Sequence, residues 1–171
     1  MKKYFLFILL LGSLNCFSQI NRTVWGCTLG KSTKQQVRSA LVQKGYDVVV
    51  EPDGSLASSF YNVPFGGAYW SYVSFSFVNG FLSEICFLTD EVRSAVNIDN
   101  SLDKLTSSLD SKYKRYKQAP SNINKKSSCY TDDITFVELM ILNNNGKRVY
   151  TLLYTDIELS MKEDQNNVDE L

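Results

Sequence analysis

Residues 69–90, YWSYVSFSFVNGFLSEICFLTD, decide how the chain is read. Val73, Phe75 and Phe77 alternate with Ser74 and Ser76, the period-2 pattern of a strand with one face buried and the other wet. Asn79-Gly80 follows, the dipeptide that supplies the two positive φ angles of a type I′ hairpin turn. On the return strand Ile85 and Phe87 share one face while Glu84, Cys86 and Leu88 share the other. The stretch therefore predicts two long antiparallel strands. It carries no chemical motif.

On the N-terminal side, FYNVPFGGAYWSY packs six large aromatics into a segment interrupted by Pro64 and Gly66-Gly67. Phe60, Tyr61, Phe65, Tyr69, Trp70 and Tyr72 cannot readily all point into one core. Two readings follow: a contact surface, because Tyr and Trp offer large rigid area at low entropy cost, or a core-edge strand with an aromatic corner. Further back, Val48, Val49 and Val50 favour a strand and Pro52-Asp53-Gly54 a turn. Before these, Ser32 or Thr33 caps a helix whose Gln35 or Gln36 can reach back to the free amides; Val37, Ala40 and Leu41 form its apolar stripe, and Gly45 ends it. Gly30-Lys31-Ser32 imitates a phosphate loop. That loop needs four residues between its glycines, and only Cys27, Thr28 and Leu29 separate Gly26 from Gly30. Residues 21–29, with Val24 and Trp25, read as a short strand or lead-in.

On the C-terminal side, Leu102, Leu105, Leu109, Tyr113 and Tyr116 recur at steps of three and four and predict a helix over 101–116. The KYKRYK run at 112–117 interleaves bases with tyrosines in the manner of a nucleic-acid or heparin patch. Positive residues in the last turn of a helix complement its dipole, so a solvated face is the better reading. Residues 120–128 read as a loop, 134–142 and 148–159 as strands, and 160–171 as a flexible tail.

Lys2-Lys3 followed by an apolar run at 4–11, too short to span a bilayer, reads as a signal peptide, with cleavage expected after Ser18. The competing reading is a lipid anchor at Cys16, disfavoured because Asn15 stands where a small residue is expected. Removing 18 of the 171 residues leaves 153, one ordinary domain over 19–159 with halves near 19–92 and 93–159. Of the 18 basic residues, Lys2 and Lys3 leave with the leader, so 16 face 18 acidic ones, a net charge of −2. That balance gives no field for nucleic acid. The expected location is periplasmic or secreted, in a bacterium. Cys27, Cys86 and Cys129 fit no zinc spacing and the chain has no His; no metal, cofactor or catalytic residue is expected, and the cysteines read as buried single thiols ahead of one bridge. Asp90, Asp132, Asp133, Asp156 and Glu158 are the acids open to a hydrolase reading, which lacks any His partner.

Val37 and Leu41 fall on Leu105 and Leu109 at an offset of 68, and ICFLTD at 85–90 falls on TLLYTD at 151–156 at an offset of 66. Each half reads helix, extended segment, hairpin. The expected fold is α+β: pseudo-duplicated helix-plus-hairpin units forming one antiparallel sheet with two helices on one face. Gly30-Lys31-Ser32 leading to Val37 and Leu41, the hairpin ending Phe87-Leu88-Thr89-Asp90, the helix end at Leu109 to Tyr113 and the closing Leu153-Tyr154-Thr155-Asp156 resemble small exported bacterial proteins. In layout these are similar to β-lactamase inhibitory protein and the SmpA/OmlA outer-membrane assembly lipoproteins. The resemblance implies a noncatalytic protein-binding module of the cell envelope, its partner and oligomeric state unspecified. The alternative is a small-ligand or glycan binder using the aromatic loop.

Overall fold

The computed structural model describes the backbone of residues 19–89, 96–116, 125–144 and 147–169; within these, the side chains of 59–62, 96–101, 125, 143–144, 164 and 166–169 lie outside the description. The fold is α+β, built on an antiparallel sheet. A small hairpin, β1 (Thr23–Val24) and β2 (Cys27–Thr28), leads into helix α1 (Lys34–Gln43). Strands β3 (Val49–Val50), β4 (Leu56–Phe65), β5 (Ala68–Val78) and β6 (Phe81–Leu88) follow. Helix α2 (Val96–Lys112), strands β7 (Lys125–Thr131), β8 (Thr135–Asn144) and β9 (Lys147–Asp156), and helix α3 (Ile157–Asp169) complete the order. The seven strands of the main sheet lie in the order β3-β4-β5-β6-β9-β8-β7. Two meanders, β4-β5-β6 and β7-β8-β9, are thus joined edge to edge by the last strand of each.

The central hairpin forms as expected. Asn79 and Gly80 take φ of 50° and 82°, and Val73↔Phe87 and Phe75↔Ile85 pair across it. Register then carries one apolar row across the sheet: Leu56, Phe75, Ile85, Tyr154, Val137 and Tyr130 are successive partners from β4 to β7, and all six are buried. Val37 and Leu41 of α1 and Leu102, Leu105 and Leu109 of α2 belong to the same core cluster as this row. Thr33 caps α1 in a full capping box with Gln36. At its other end Gly45 adopts φ 80°, and its amide and that of Tyr46 bond back to Val42 and Leu41, the pairing of a Schellman motif.

Four expectations are corrected. The glycine-rich aromatic segment is a second hairpin: Phe65 pairs with Ala68 around Gly66-Gly67, which take φ of 64° and 80°. The helix expected over 101–116 begins at Val96 and ends at Lys112, so Tyr113 still packs on the core while Tyr116, past the last helical turn, is exposed. Residues 120–128 read as a loop, but 125–128 open β7, whose outer side is partly covered where Tyr116 N–H donates to the Cys129 carbonyl at 2.7 Å. Residues 160–169, read as a flexible tail, continue α3, which runs beside the sheet face opposite the core: Ile157, Ser160 and Met161 border a groove of ≈ 540 Å³ whose other wall includes Thr131, Phe136 and Thr155. The helix was hidden from the sequence because its stability comes from that docking and from a cap at Asp156, not from an apolar stripe of its own.

The 66-residue offset between ICFLTD and TLLYTD does not describe equivalent strand positions. Ile85 and Phe87 pair with Tyr154 and Leu152, so odd residues of β6 share a face with even residues of β9. An even offset places Ile85 on Thr151, on the other side of the sheet, and a slip of one residue exchanges the two faces.

Candidate functional site

The six aromatics expected as a contact surface are divided by the fold. Trp70 is 1 % exposed, a core residue whose Nε1–H donates to the Phe65 carbonyl at 3.0 Å. Tyr69, its neighbour, is 64 % exposed. The inward phase shifts along β5 from Ala68 and Trp70 to Val73 and Phe75, and the pairing with β4 shifts between Ser59 and Val63 over the same stretch. A local irregularity of this kind re-aims a side chain, and here it turns the indole inward. Phe65 is half-buried, its ring stacked on Phe87 at 4.4 Å and 4°, with Trp25 edge-on to both at 6.2 and 5.7 Å. Trp70 and Phe65 therefore form the aromatic corner and are removed from the exposed surface. Tyr72 is half-buried, with its hydroxyl 3.5 Å from Glu51 Oε1; burial, then the Glu51 charge, raises its pKa. Phe60 and Tyr61 lie in β4, and their side chains are outside the described residues.

What the surface offers instead is a sheet edge. Strand β3 is two residues long and covers only Leu56 and Ala57 of the ten-residue β4. Val49 and Val50 are 54 % and 49 % exposed, and Val42 on α1 is 57 % exposed. Beside α1 runs an open groove of ≈ 750 Å³ lined by Lys34, Arg38, Val42, Gln43 and Leu56, with no acid among its described lining residues. Lys34 is held to the rim by a 2.6 Å bond to the Gly54 carbonyl.

A search for a matching family model, curated protein or solved structure finds none.

Asp132, Asp156 and Glu158 each have a structural partner, whereas Asp133 is exposed in the β7–β8 turn at φ 71°. Asp132 Oδ1 accepts from the Thr135 amide at 2.8 Å, closing the β7–β8 turn, and its Oδ2 accepts from the Ile20 amide at 2.7 Å. Glu158 is exposed and pairs with Lys162 at 2.7 Å, which lowers its pKa. Asp156 Oδ2 is ion-paired with Arg22, and its Oδ1 accepts from the Leu159 amide at 2.9 Å as the N-cap of α3. Gly30 lies directly against this pair, so the segment that imitates a phosphate loop is the floor of a structural ion pair. Asp90 lies outside the described residues. Among the described residues no group of three or more His, Cys, Asp or Glu is arranged to hold a metal.

The basic run at the end of α2 is partly used inside the protein. Arg115 pairs with Asp110 at 3.1 Å and donates to Ser128 Oγ at 3.2 Å, and Tyr130 donates to the same Asp110 at 3.0 Å. This knot ties the helix end to β7. Among the described residues none of Cys27, Cys86 and Cys129 is joined in a disulfide. Burial, with Glu84 adding to it, pushes the Cys86 thiol up to about 11, and burial raises Cys27 as well, so neither is poised as a nucleophile at neutral pH.

A third concavity, missed by sequence reasoning, lies beneath the aromatic corner. It is a cleft of ≈ 340 Å³ between α2 and the N-terminal hairpin, with Phe65, Leu105, Leu109, Tyr113 and Tyr154 on its walls. Its residues come from four separate segments, and no local pattern joins them.

Proposed function

We propose that this chain is an exported, noncatalytic protein-binding module of the bacterial cell envelope, which takes an extended segment of its partner along the open β3–β4 edge. The observation that carries the reading is that edge: two half-exposed valines and a β4 that β3 pairs only at Leu56 and Ala57, near a groove with an exposed apolar lip. A sheet edge left open offers unpaired backbone groups, and an added strand gains main-chain hydrogen bonds while its alternate side chains enter the flanking groove. Arg38 and Lys34 favour a partner segment with acidic residues on the side that meets α1. The joined meanders support the further reading that the halves are diverged copies with α1 and α2 on one face, in a layout like that of β-lactamase inhibitory protein and the SmpA/OmlA lipoproteins. Export rests on the leader at 1–18, outside the described residues, and N-terminal sequencing of mature protein tests it: Gln19 supports the soluble form, Cys16 the lipoprotein.

The binding test places a photo-crosslinking residue at Val49 and compares cell-envelope extracts with and without Val50→Lys, a charge of the kind that natural edge strands use against pairing. A crosslinked partner whose contact maps to one extended segment, lost in the Val50→Lys background, supports the proposal. Crosslinking that is unchanged by the added lysine overturns it.

A further inference from the structure

We propose that removal of the leader after Ser18 completes the fold: the α-ammonium created at Gln19 pairs with the Asp132 carboxylate and fastens the N-terminal segment to the β7–β8 turn. This rests on the export reading and adds to it a consequence of processing for the mature protein.

The segment just past the expected cleavage point is a clasp. Ile20 is 2 % exposed and belongs to the core cluster, and its amide donates to Asp132 Oδ2 at 2.7 Å. The Asn21 amide donates to Tyr113 Oη at 3.4 Å, and Arg22 is ion-paired with Asp156. Three successive residues are thus tied to the β7–β8 turn, to the end of α2 and to the cap of α3. Gln19, immediately before them, is exposed.

Asp132 is set up for one more partner, a cation. Its Oδ1 accepts from the Thr135 and Ile134 amides at 2.8 and 3.3 Å, and its Oδ2 from the Ile20 amide. A carboxylate offers about four acceptor positions, two on each oxygen, so the position left over is on Oδ2, beside the start of the clasp. Among the described residues no Lys or Arg is ion-paired with Asp132. The charged and titratable groups around it are the exposed Asp133 in the same turn, Lys112, Tyr113 and Lys114 at the end of α2, and Arg22, which is engaged by Asp156. Successive backbone nitrogens lie roughly 3.5 Å apart at most, which puts the Gln19 nitrogen within about 6 Å of Oδ2. An opposite charge at that range favours the charged form of an amine. Hydrolysis of the Ser18–Gln19 peptide by a signal peptidase adds water across the bond. Ser18 leaves as a carboxylate, and the Gln19 nitrogen, an uncharged amide in the precursor, becomes an ammonium with three donors. The precursor is then the less stable form, which suits a chain that has to stay unfolded until it has crossed a membrane.

The test compares two purified chains, one begun at Gln19 and one carrying Gly-Ser ahead of it, each with and without Asp132→Asn. Intact mass first verifies that Gln19 has not cyclised with loss of ammonia. The chain begun at Gln19 should melt about 2 °C above the extended one at pH 6. An α-amine ordinarily titrates at about 7.7–8.0, and pairing should raise that by about half a unit. The advantage is therefore complete below the ordinary value and lost as pH rises through the folded one, so the two chains should melt together at pH 10. Asp132→Asn, which keeps an oxygen for the turn amides and removes the charge, should abolish the advantage at pH 6. Because that substitution also touches the turn, titration of the Gln19 Cα carbon shift in the unsubstituted chain gives a second reading of the amine. Equal melting of the two chains at pH 6 overturns the proposal. So does an advantage that persists at pH 10 or with Asp132→Asn, and so does an amine that titrates at or below its ordinary value. The reading on which the proposal rests fails separately, when N-terminal sequencing of the native protein returns a residue other than Gln19.

Discussion

Replacing Gly30 by Ala tests the most constrained point in the molecule. Gly30 has φ +75°, and a Cβ placed there would lie 2.5 Å from Asp156 Oδ2 and 2.8 Å from Arg22 Nη2. Gly26 and Gly45 have similar angles, +85° and +80°, but an added Cβ at either meets nothing within 4 Å. Those two substitutions measure the backbone cost alone, about 1–2 kcal/mol for a left-handed non-glycine residue. Gly30→Ala carries the same cost and must also drive the Asp156 carboxylate off Arg22. The Asp156 and Arg22 side chains are 7 % and 21 % exposed, so the separated charges cannot simply hydrate. Breaking a buried pair costs roughly 3–5 kcal/mol, and partial exposure of Arg22 brings the expected excess to about 2–3 kcal/mol. Displacing Asp156 also loosens the N-cap of α3, which contributes about 1 kcal/mol. In urea unfolding Gly30→Ala should therefore fall about 3 kcal/mol below Gly26→Ala and Gly45→Ala, which for a domain of this size lowers the melting temperature by about 6–12 °C more. The excess should largely vanish in an Asp156→Ala background, because the main obstacle is already gone. Equal destabilisation at the three glycines, or an excess that persists without Asp156, would refute this account of the ion pair.

Trp70→Ala should destabilise by about 3–5 kcal/mol by emptying a core site and removing the indole bond to the Phe65 carbonyl, whereas Tyr69→Ala should stay within about 0.5 kcal/mol; chemical denaturation of the pair checks the inward and outward assignment. For Cys86 the folded pKa of about 11 stands above the ordinary value of 9.0, so its contribution to stability is complete below pH 9 and is lost as pH rises through 11, by roughly 2 kcal/mol. Cys86→Ala should flatten that part of the stability profile; an unchanged slope between pH 9 and 11 would show that the thiol is hydrated. Glu84 is raised by burial and then by the charge of Glu163 on α3, so its stabilising contribution is complete below its ordinary pKa and declines as pH rises through the folded value. Glu84→Gln should accordingly be more stable than wild type at pH 7 and equal to it at pH 3, and Glu163→Gln should reproduce part of the gain only if α3 is docked.

The local elements were legible because their signals are local. Asn79-Gly80 fixes a turn through its own φ preferences, Thr33 and Gln36 cap a helix within one turn, and the Leu102, Leu105 and Leu109 stripe needs only the helical period. Gly66-Gly67 carries the same kind of signal, but the aromatics on either side match a contact loop as well as a hairpin. The β1–β2 turn was less visible, since it places Trp25 at φ 53°, a conformation its side chain does not advertise.

The sequence by itself determined the antiparallel α+β class, the central hairpin, the faces of α1 and α2, and the small number of groups able to carry chemistry. Tertiary structure decided which half of the aromatic segment is buried, because a shift in strand pairing near Ser59 and Val63, invisible in the pattern of types, turns Trp70 inward and leaves Tyr69 outside. It decided that Asp156 is a cap and an ion-pair partner, since Arg22 and Gly30 reach it from the opposite end of the chain. It decided the register of β6 against β9, where one residue separates the two faces of the sheet. In each case the deciding energy comes from groups distant in sequence, and such contacts exist only once the sheet has closed.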